Sequence, residues 1–577
     1  MKRTIFLLFF FSLLFTVLLL YPYSFSISHG VTNVVDPLFY AWNLSHNASN
    51  TFSGMAKLLN TNIFYPLTNT LAFSDTLWGQ SIITSPIIWL TDNPILAQNV
   101  AVLISFPLSA ISMFLLSLYL TKNVLASCIS GIFFAFSYPR LSQVGHLPMI
   151  SSQWLPLYLL YLFKFLNEGK RKNFFLVCLW YTLSVASSIY FGVFLIPITA
   201  IIIIADICKR FRSHTLHVYK QRFSAIFPSV LFFLVILFIV NFPYIRLKVE
   251  NPEMKRSIDD MTNLRATPVD YFSVLPTSLI SPMLPNNINE HVLYPTLTVL
   301  TLAFLGSILA WKRNRYMILL SVIIAISSGV LSLGDQQFFS IGSLFTGTLR
   351  LPYYYLYTFF PVFQAIRVPA RFSIFVILML SILAAWGIDA VMKQKRYKWS
   401  IAVFLCIFII EIWQLRTPFI SVPLKNSIPD VYVWIQKQPE PMILAELPIS
   451  LFYFGKTMEK QLSIPYNLLQ KEDVYALETY RVYFSAFHKK RMINGYSGFL
   501  PDSYNRLTET LGNFPSEDSI QTMQKIGVTH ILVHSMQYES VERHEMLTML
   551  TNSPLVSLSY SNSNDLVFRI YKKEIHP

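Results

Sequence analysis

Apolar segments long enough to cross a bilayer recur from the N-terminus to about residue 417, punctuated by short clusters of lysine and arginine. No other feature narrows the fold as far. A hydrocarbon core about 30 Å thick takes about 20 apolar residues of helix. Inside it every backbone amide must find a partner within the chain, so such segments span as helices. Spans are expected near residues 4–22, 95–120, 123–139, 150–166, 173–188, 189–207, 223–244, 292–311, 316–334, 370–391 and 399–417, about 11 transmembrane helices. The first follows Met1-Lys2-Arg3 as a signal peptide would, but Tyr21-Pro22-Tyr23 is too bulky for a cleavage site, and it is read as a retained helix.

The formal charge of +15 suggests nucleic acid until it is divided along the chain. From Lys425 onward 15 Lys+Arg meet 16 Asp+Glu, so the excess belongs to the membrane part. There it gathers at Lys170-Arg171-Lys172, at Lys209-Arg210 with Arg212, Lys220 and Arg222, at Lys312-Arg313 with Arg315, and at 393–398. These clusters read as positive-inside anchors, with no nucleic-acid partner implied. They place the N-terminus in the cytoplasm and, with an odd number of spans, the C-terminus outside. Leu77 to Leu90 is apolar but short and broken by Pro86; it is read as re-entrant or interfacial, since a span there would invert everything after it. The outer stretches, about 23–94, 245–291 and 335–369, hold most of the acidic residues of the membrane part. An outward-facing site handling cations or protons would explain that bias, and so would the greater length of the outer loops. The four cysteines lie in or beside apolar segments, with neither disulfide nor metal spacing.

Beyond Pro418 the apolar runs shorten to strand length at 442–447, 529–534 and 566–571, with a helix over 516–526 that starts at Ser516 or Ser519. The expected organisation is a polytopic α-helical membrane domain over 1–418 and an extracytoplasmic α/β domain over 419–577.

Several outer residues have the chemistry of a reaction site, and each has a structural alternative. Asp36, in Val34-Val35-Asp36-Pro37, could take the proton of an attacking hydroxyl, with Tyr40 and Trp42 offering rings to a sugar. Asp-Pro is equally a helix-start dipeptide. Asn62-Ile63-Phe64-Tyr65-Pro66 and Leu71-Ala72-Phe73-Ser74-Asp75 read as a loop lying on the membrane, where Asp75 either joins a site or caps a helix starting near Thr76. Arg140 and His146, in the turn Tyr138 to His146, meet a lipid phosphate or else sit as ordinary interfacial residues. Glu290, beside His291, stands at the mouth of a span, where an acid also suits the helix N-terminus. Arg367 and Arg371, about one helical turn apart, either clamp a phosphate or pair with outer acids. His488 precedes the turn-rich Asn494-Gly495-Tyr496-Ser497-Gly498-Phe499-Leu500-Pro501, where glycan contact competes with core packing. No P-loop, GxGxxG, paired-cysteine site or GxSxG is present.

Taken together, Asp36-Pro37 with Trp42, Asn62 to Pro66, Tyr138 to His146 with Gln153-Trp154-Leu155-Pro156, Arg367-Val368-Pro369-Ala370-Arg371-Phe372, Asn494 to Phe499 and Gly527-Val528-Thr529-His530 resemble the GT-C superfamily. These are integral-membrane glycosyltransferases, and the likeness is to a bacterial branch of multi-pass GT-C-like proteins. The resemblance covers nearly the whole chain. It implies a polyprenyl-phosphate-linked sugar donor, an outward-opening membrane cavity, and a catalytic acid in the first outer loop, carried here onto Asp36. Many members have an adjacent acidic pair in that loop. Here Pro37 follows Asp36 and the next acid is Asp75, which leaves the metal requirement open.

The expectation is therefore an inverting glycosyltransferase of the bacterial cytoplasmic (inner) membrane, acting on an envelope glycan or protein acceptor at the extracytoplasmic face. Asp36 is its base and Glu290 its second carboxylate, with a divalent cation (Mg or Mn) admitted at either. Arg140, His146, Arg367 and Arg371 hold the donor phosphate. Tyr40, Trp42, Asp75, His488 and Tyr496 meet sugar or acceptor. The alternative is a lipid-linked-glycan transporter or a non-catalytic assembly protein on the same scaffold. A transporter calls for ionisable groups within the membrane, where Glu411 is the one clear candidate and Asp206 lies near a helix end.

Overall fold

The computed structural model describes residues 1–213, 217–251, 258–341, 345–394, 398–449, 474–538 and 540–571. Glu253 and residues 395–397 of the last basic cluster lie outside them. A helix stands at each expected span: Lys2–Leu19, Pro94–Thr121, Val124–Ala135, Trp154–Glu168, Arg171–Ser187, Ile189–Arg212, His217–Glu250, Leu297–Leu309, Trp311–Ser332, Ser373–Lys393 and Lys398–Ile412. Among the described residues, five helices are long and apolar enough to cross a membrane: Lys2–Leu19, Pro94–Thr121, Ile189–Arg212, Trp311–Ser332 and Pro369–Lys393. Val124–Ala135, Leu297–Leu309 and Trp399–Ile412 are apolar but shorter. The chain is a mostly helical, multi-pass membrane protein with a C-terminal α/β region.

Two compact units make up the chain. The first comprises Met1–Phe25, Val100–Phe242 and Glu253–Pro418, and the second Ser26–Asn99, Pro243–Pro252 and Phe419–Pro577. Residues 26–99, expected as an outer loop of the membrane domain, thus fold with the C-terminal region.

In the first unit the Leu297–Leu309 and Ser373–Lys393 helices meet backbone to backbone. A Cβ on Gly306 would lie 2.0 Å from the Leu383 carbonyl oxygen, and one on Gly387 would lie 2.1 Å from that of Leu302. Small residues permit this approach where lipid supplies no hydrophobic drive between helices. The N-terminus of Leu297–Leu309 is closed by Glu411, whose carboxylate accepts the Leu297 N–H at 2.7 Å, the Thr298 N–H at 3.2 Å and the Tyr294 hydroxyl at 3.0 Å. Asp206 pairs with Arg210 one turn along its own helix, at 2.7 Å. Each acid, placed by these contacts, serves a helix of the first unit.

In the second unit the three expected strands form as Ile443–Leu447, His530–His534 and Asp565–Ile570, joined by Arg491–Met492 and Val556–Ser561. Ile443–Leu447 runs parallel to both Arg491–Met492 and His530–His534, and Asp565–Ile570 pairs antiparallel with His530–His534 and Val556–Ser561. Every residue of Ile443–Leu447 is buried, Glu446 included, as suits a central strand covered on both faces. The Glu517–Ile526 helix starts with the Ser516 side chain accepting the Ser519 N–H and stops at Gly527, which takes the left-handed conformation (φ 90°) that glycine adopts without strain. The Leu77 to Leu90 segment forms the helix Trp78–Thr91, about 21 Å long at 1.5 Å per residue and too short to span.

Candidate functional site

Asp36 opens the Asp36–Asn50 helix, with Pro37 fixing the backbone of its first turn. Its carboxylate lies at the positive end of the helix dipole, where a negative charge is favoured. It also accepts the Tyr496 hydroxyl at 3.2 Å, and the Tyr496 ring meets Phe39 edge-on, 5.6 Å between centroids. Helix start and half-buried, hydrogen-bonded carboxylate are therefore the same residue.

Tyr496 reaches Asp36 because two distant motifs pair. The Phe64 and Tyr65 amides donate to the carbonyls of Asn494 (3.1 Å) and Met492 (2.9 Å), and the Met492 amide returns to Asn62 (2.8 Å). Gly495 lies under the Phe64 ring, where a Cβ would approach it to 2.6 Å. This corrects the membrane-surface reading of 62–75: Phe64, Leu71 and Phe73 are buried in the second unit. The exposed apolar side chains are instead Phe52, Ile82, Trp89 and Leu90.

Three of the expected sugar contacts are placed differently. Trp42 is 2% exposed, its indole N–H donating to Asn62 Oδ1 at 3.1 Å and its ring packed between Phe39 and His46. Tyr40 is buried beside Phe39. Neither ring offers a face, because an apolar core won both. His488 is buried against Tyr432, rings 5.8 Å apart and nearly parallel, with Nδ1 accepting the Lys490 amide. Burial pushes its imidazole down to about 4, so it is neutral. Asp75 is half-buried and is not a helix cap, since Trp78–Thr91 starts after Leu77 with no side-chain cap; the Asp75 carbonyl accepts from Asn43 at 3.1 Å.

In the first unit the outer turn 137–153 folds into two short helices, Tyr138–Leu141 and Leu147–Ile150, wrapped around Arg140. Arg140 is 1% exposed. Its guanidinium donates to the carbonyls of Ala135, Ile150 and Ser105 and to the Ser152 hydroxyl, and it lies 4.9 Å over the Phe106 ring. Arg140 braces the turn and does not present a phosphate clamp, which corrects the sequence expectation.

The same turn delivers Gln143 to Glu290. Arg371 grips one Glu290 oxygen with Nε (3.1 Å) and Nη2 (2.5 Å), and Gln143 donates to the other at 3.0 Å. Tyr190 supports the cations: its ring lies 4.7 Å from the Arg371 guanidinium, and its hydroxyl accepts the Arg367 amide at 3.3 Å. Burial alone would raise the Glu290 carboxyl, but the charges of Arg371, His146 and Arg367 hold it below the usual carboxylate range. The sequence missed Gln143 and Tyr190. Both stand at helix ends, and that position was their only local signal. A cavity of about 20 Å³ lies beside Glu290 and Arg371, room for about one water.

Other outer acids are absorbed by structure. Asp270 pairs with His291 at 2.8 Å, raising that imidazole above its ordinary value, and Asp335 pairs with Arg265 at 2.9 Å. A divalent cation fits Glu290 poorly, because its oxygens meet a guanidinium and an amide donor among further positive charge. Among the described residues, no three His, Cys, Asp or Glu side chains gather as a metal site.

No family model and no curated protein matches the chain. Among solved structures it is similar to ArnT from Cupriavidus metallidurans bound to undecaprenyl phosphate, at 12% identity over 98% of this chain and 97% of that one, TM-score 0.48. The apo state of the same ArnT gives 10% identity over 98% and 97%, TM-score 0.47. The oligosaccharyltransferase AglB from Archaeoglobus fulgidus, in complex with an inhibitory peptide and a dolichol-phosphate, gives 11% identity over 100% of this chain and 75% of that one, TM-score 0.47. These are similarities in the path of the backbone, at identities too low to carry a residue's role across.

Proposed function

We propose that this chain is a membrane glycosyltransferase of the bacterial cytoplasmic membrane. It moves a sugar from a polyprenyl-phosphate-linked donor to an envelope glycan or protein on the extracytoplasmic face, with the N-terminus inside and residues 419–577 outside. The observation that carries this reading is the Glu290–Arg371 cluster. It gathers an ionised carboxylate, guanidinium groups and His146 just ahead of two apolar helices, Leu297–Leu309 and Ser373–Lys393. Fixed donors at a membrane boundary suit a lipid phosphate.

In this proposal Arg367 and Arg371, aided by His146, neutralise the departing polyprenyl phosphate, and Glu290 orients Arg371. An acceptor oxygen forms its bond to the sugar C1 as the C1–O bond to phosphate breaks. The electron pair leaves with the phosphate, the acceptor proton passes to Asp36, and the anomeric configuration inverts. Tyr496 holds the Asp36 carboxylate in place, and no step runs through a metal.

The test is transfer of radiolabelled sugar from a panel of undecaprenyl-phosphate donors in membranes carrying the wild type or Asp36→Asn. Loss of about 10²–10⁴-fold in the folded, inserted variant is expected of a missing base. Activity kept in Asp36→Asn would remove Asp36 from the chemistry. No transfer from any donor, across glycan and protein acceptors, would overturn the enzyme reading in favour of a non-catalytic assembly role.

A further inference from the structure

A second group of buried charges lies within the C-terminal part of the second unit. His534 bridges two carboxylates, Nδ1 to Asp565 at 2.7 Å and Nε2 to Glu446 at 3.3 Å. Arg481 holds Glu478 at 2.5 Å, stands 3.7 Å from Glu446, and donates to the Gln537 carbonyl oxygen at 3.3 Å. Tyr432 donates its hydroxyl to Glu446 at 2.8 Å. Burial alone would lower the His534 imidazole, but the two carboxylates raise it above its ordinary value. One guanidinium and one imidazole thus face three carboxylates. A fold gains little from such a network, since desolvating each charge offsets much of the attraction.

The network borders a cavity of about 390 Å³, a volume in the range of small-molecule sites. Its lining combines Tyr432, Tyr480 and Phe484 with Asn564, Asp565 and, at the exposed rim, Asp430. Arg481 also lines it. That guanidinium is 1% exposed, and its Nε–H has no hydrogen-bond acceptor among the described residues. That Nε faces Glu446 Oε2 at 3.7 Å, within the charged network. The surplus of carboxylates opposes phosphate or uronate, while carboxylate and amide oxygens accept from hydroxyl or ammonium donors. Aromatic carbon beside such acceptors matches a pyranose, whose C–H faces and hydroxyl edge ask for both.

We infer that this cavity is a carbohydrate-binding site for a neutral or amino-substituted sugar, one or two rings in size. Its assignment to the acceptor glycan rests on the transfer reading above, whereas the binding itself does not. The sequence quoted neither Arg481 nor Asp565 as a site residue, and no step of the proposed transfer uses them.

The test is saturation-transfer NMR on the full-length protein in detergent, with methyl glucoside, glucosamine, glucuronate and inorganic phosphate as probes. Methyl glucoside or glucosamine should bind at least tenfold more tightly than glucuronate, with phosphate not competing. Asn564→Ala with Asp430→Ala, both outside the charged network, should weaken sugar binding at least fivefold and leave the thermal midpoint unchanged. No saturation transfer to either sugar, a preference for glucuronate, or binding indifferent to the two substitutions would overturn the site. Sugar binding without transfer from any donor would sink the transferase reading and leave this one standing, and transfer without such binding would do the reverse.

Discussion

Replacing Arg371 by methionine should injure the fold and the chemistry separately, and a second substitution tells them apart. Glu290 and Arg371 have side chains 8% and 14% exposed. Two unit charges about 4 Å apart attract by about 4 kcal/mol at an effective dielectric of about 20. Much of that is offset by desolvation, but removing one partner leaves the other charge buried and costs about 3–5 kcal/mol. Arg371→Met leaves Glu290 with Gln143, the charges of His146 and Arg367, and a burial that favours the neutral acid. Adding Glu290→Gln removes the stranded charge, so the double variant should be less destabilised than Arg371→Met alone, with a coupling of about 1–3 kcal/mol. The pH dependence has a definite sign. The Glu290 carboxyl is held below its ordinary value of 4.5, so its stabilisation is present above that value and fades as the pH falls through the folded-state value. In Arg371→Met the carboxyl rises, and that variant should regain part of its lost stability as acid neutralises the residue. Denaturation in mixed micelles between pH 4 and 7, run as a double-mutant cycle, measures both effects. Transfer should stay low in the double variant, because the phosphate has lost its guanidinium. Additive stability losses would refute the buried-pair argument, and transfer restored along with stability would refute a phosphate role for Arg371.

Tyr496→Phe removes one hydrogen bond to Asp36 and should lower kcat by up to about tenfold, with the donor KM unchanged in steady-state transfer assays; a changed donor KM would count against placing Tyr496 with the base. Transfer should proceed equally with and without excess EDTA, and a loss that Mg or Mn restores would overturn the metal-free step. Arg140→Met should cost about 3 kcal/mol or more of stability, because four groups lose their donor at once. The fraction that folds should keep the wild-type donor KM, and a raised KM at full stability would return Arg140 to the phosphate.

What could be read from the sequence was what is local. Apolar length and basic punctuation located eleven helices, because a helix closes its hydrogen bonds within its own segment. Short apolar runs located three strands because a strand's burial is written in its own residues, although its pairing partners are not. The pairing of 62–65 with 492–494 was not legible, since it joins segments more than 400 residues apart and neither carries a mark of the other. Asp36 and Tyr496 were both quoted as candidates, but only that pairing brings them together. Arg140 failed for another reason. An arginine in an outer turn looks the same whether lipid phosphates or backbone carbonyls surround it, and the carbonyls of Ala135, Ile150 and Ser105 converge only once the turn has folded back.

Glu411 shows how that distinction decides between classes of function. In the sequence it is the one clear ionisable candidate within the membrane, the mark of a proton or ion path. In the fold it lies at the start of another helix and accepts two of the amides that every helix leaves unpaired there. Its charge answers the positive end of the Leu297–Leu309 dipole. A carboxylate in this position is accounted for by the helix start that it caps. Glu290 differs in the respect that matters for catalysis. Its partners are an arginine and a glutamine on side chains, carried by separate segments. The membrane unit thus places one acid at a helix start and another among side-chain cations, and the proposed transfer rests on the second.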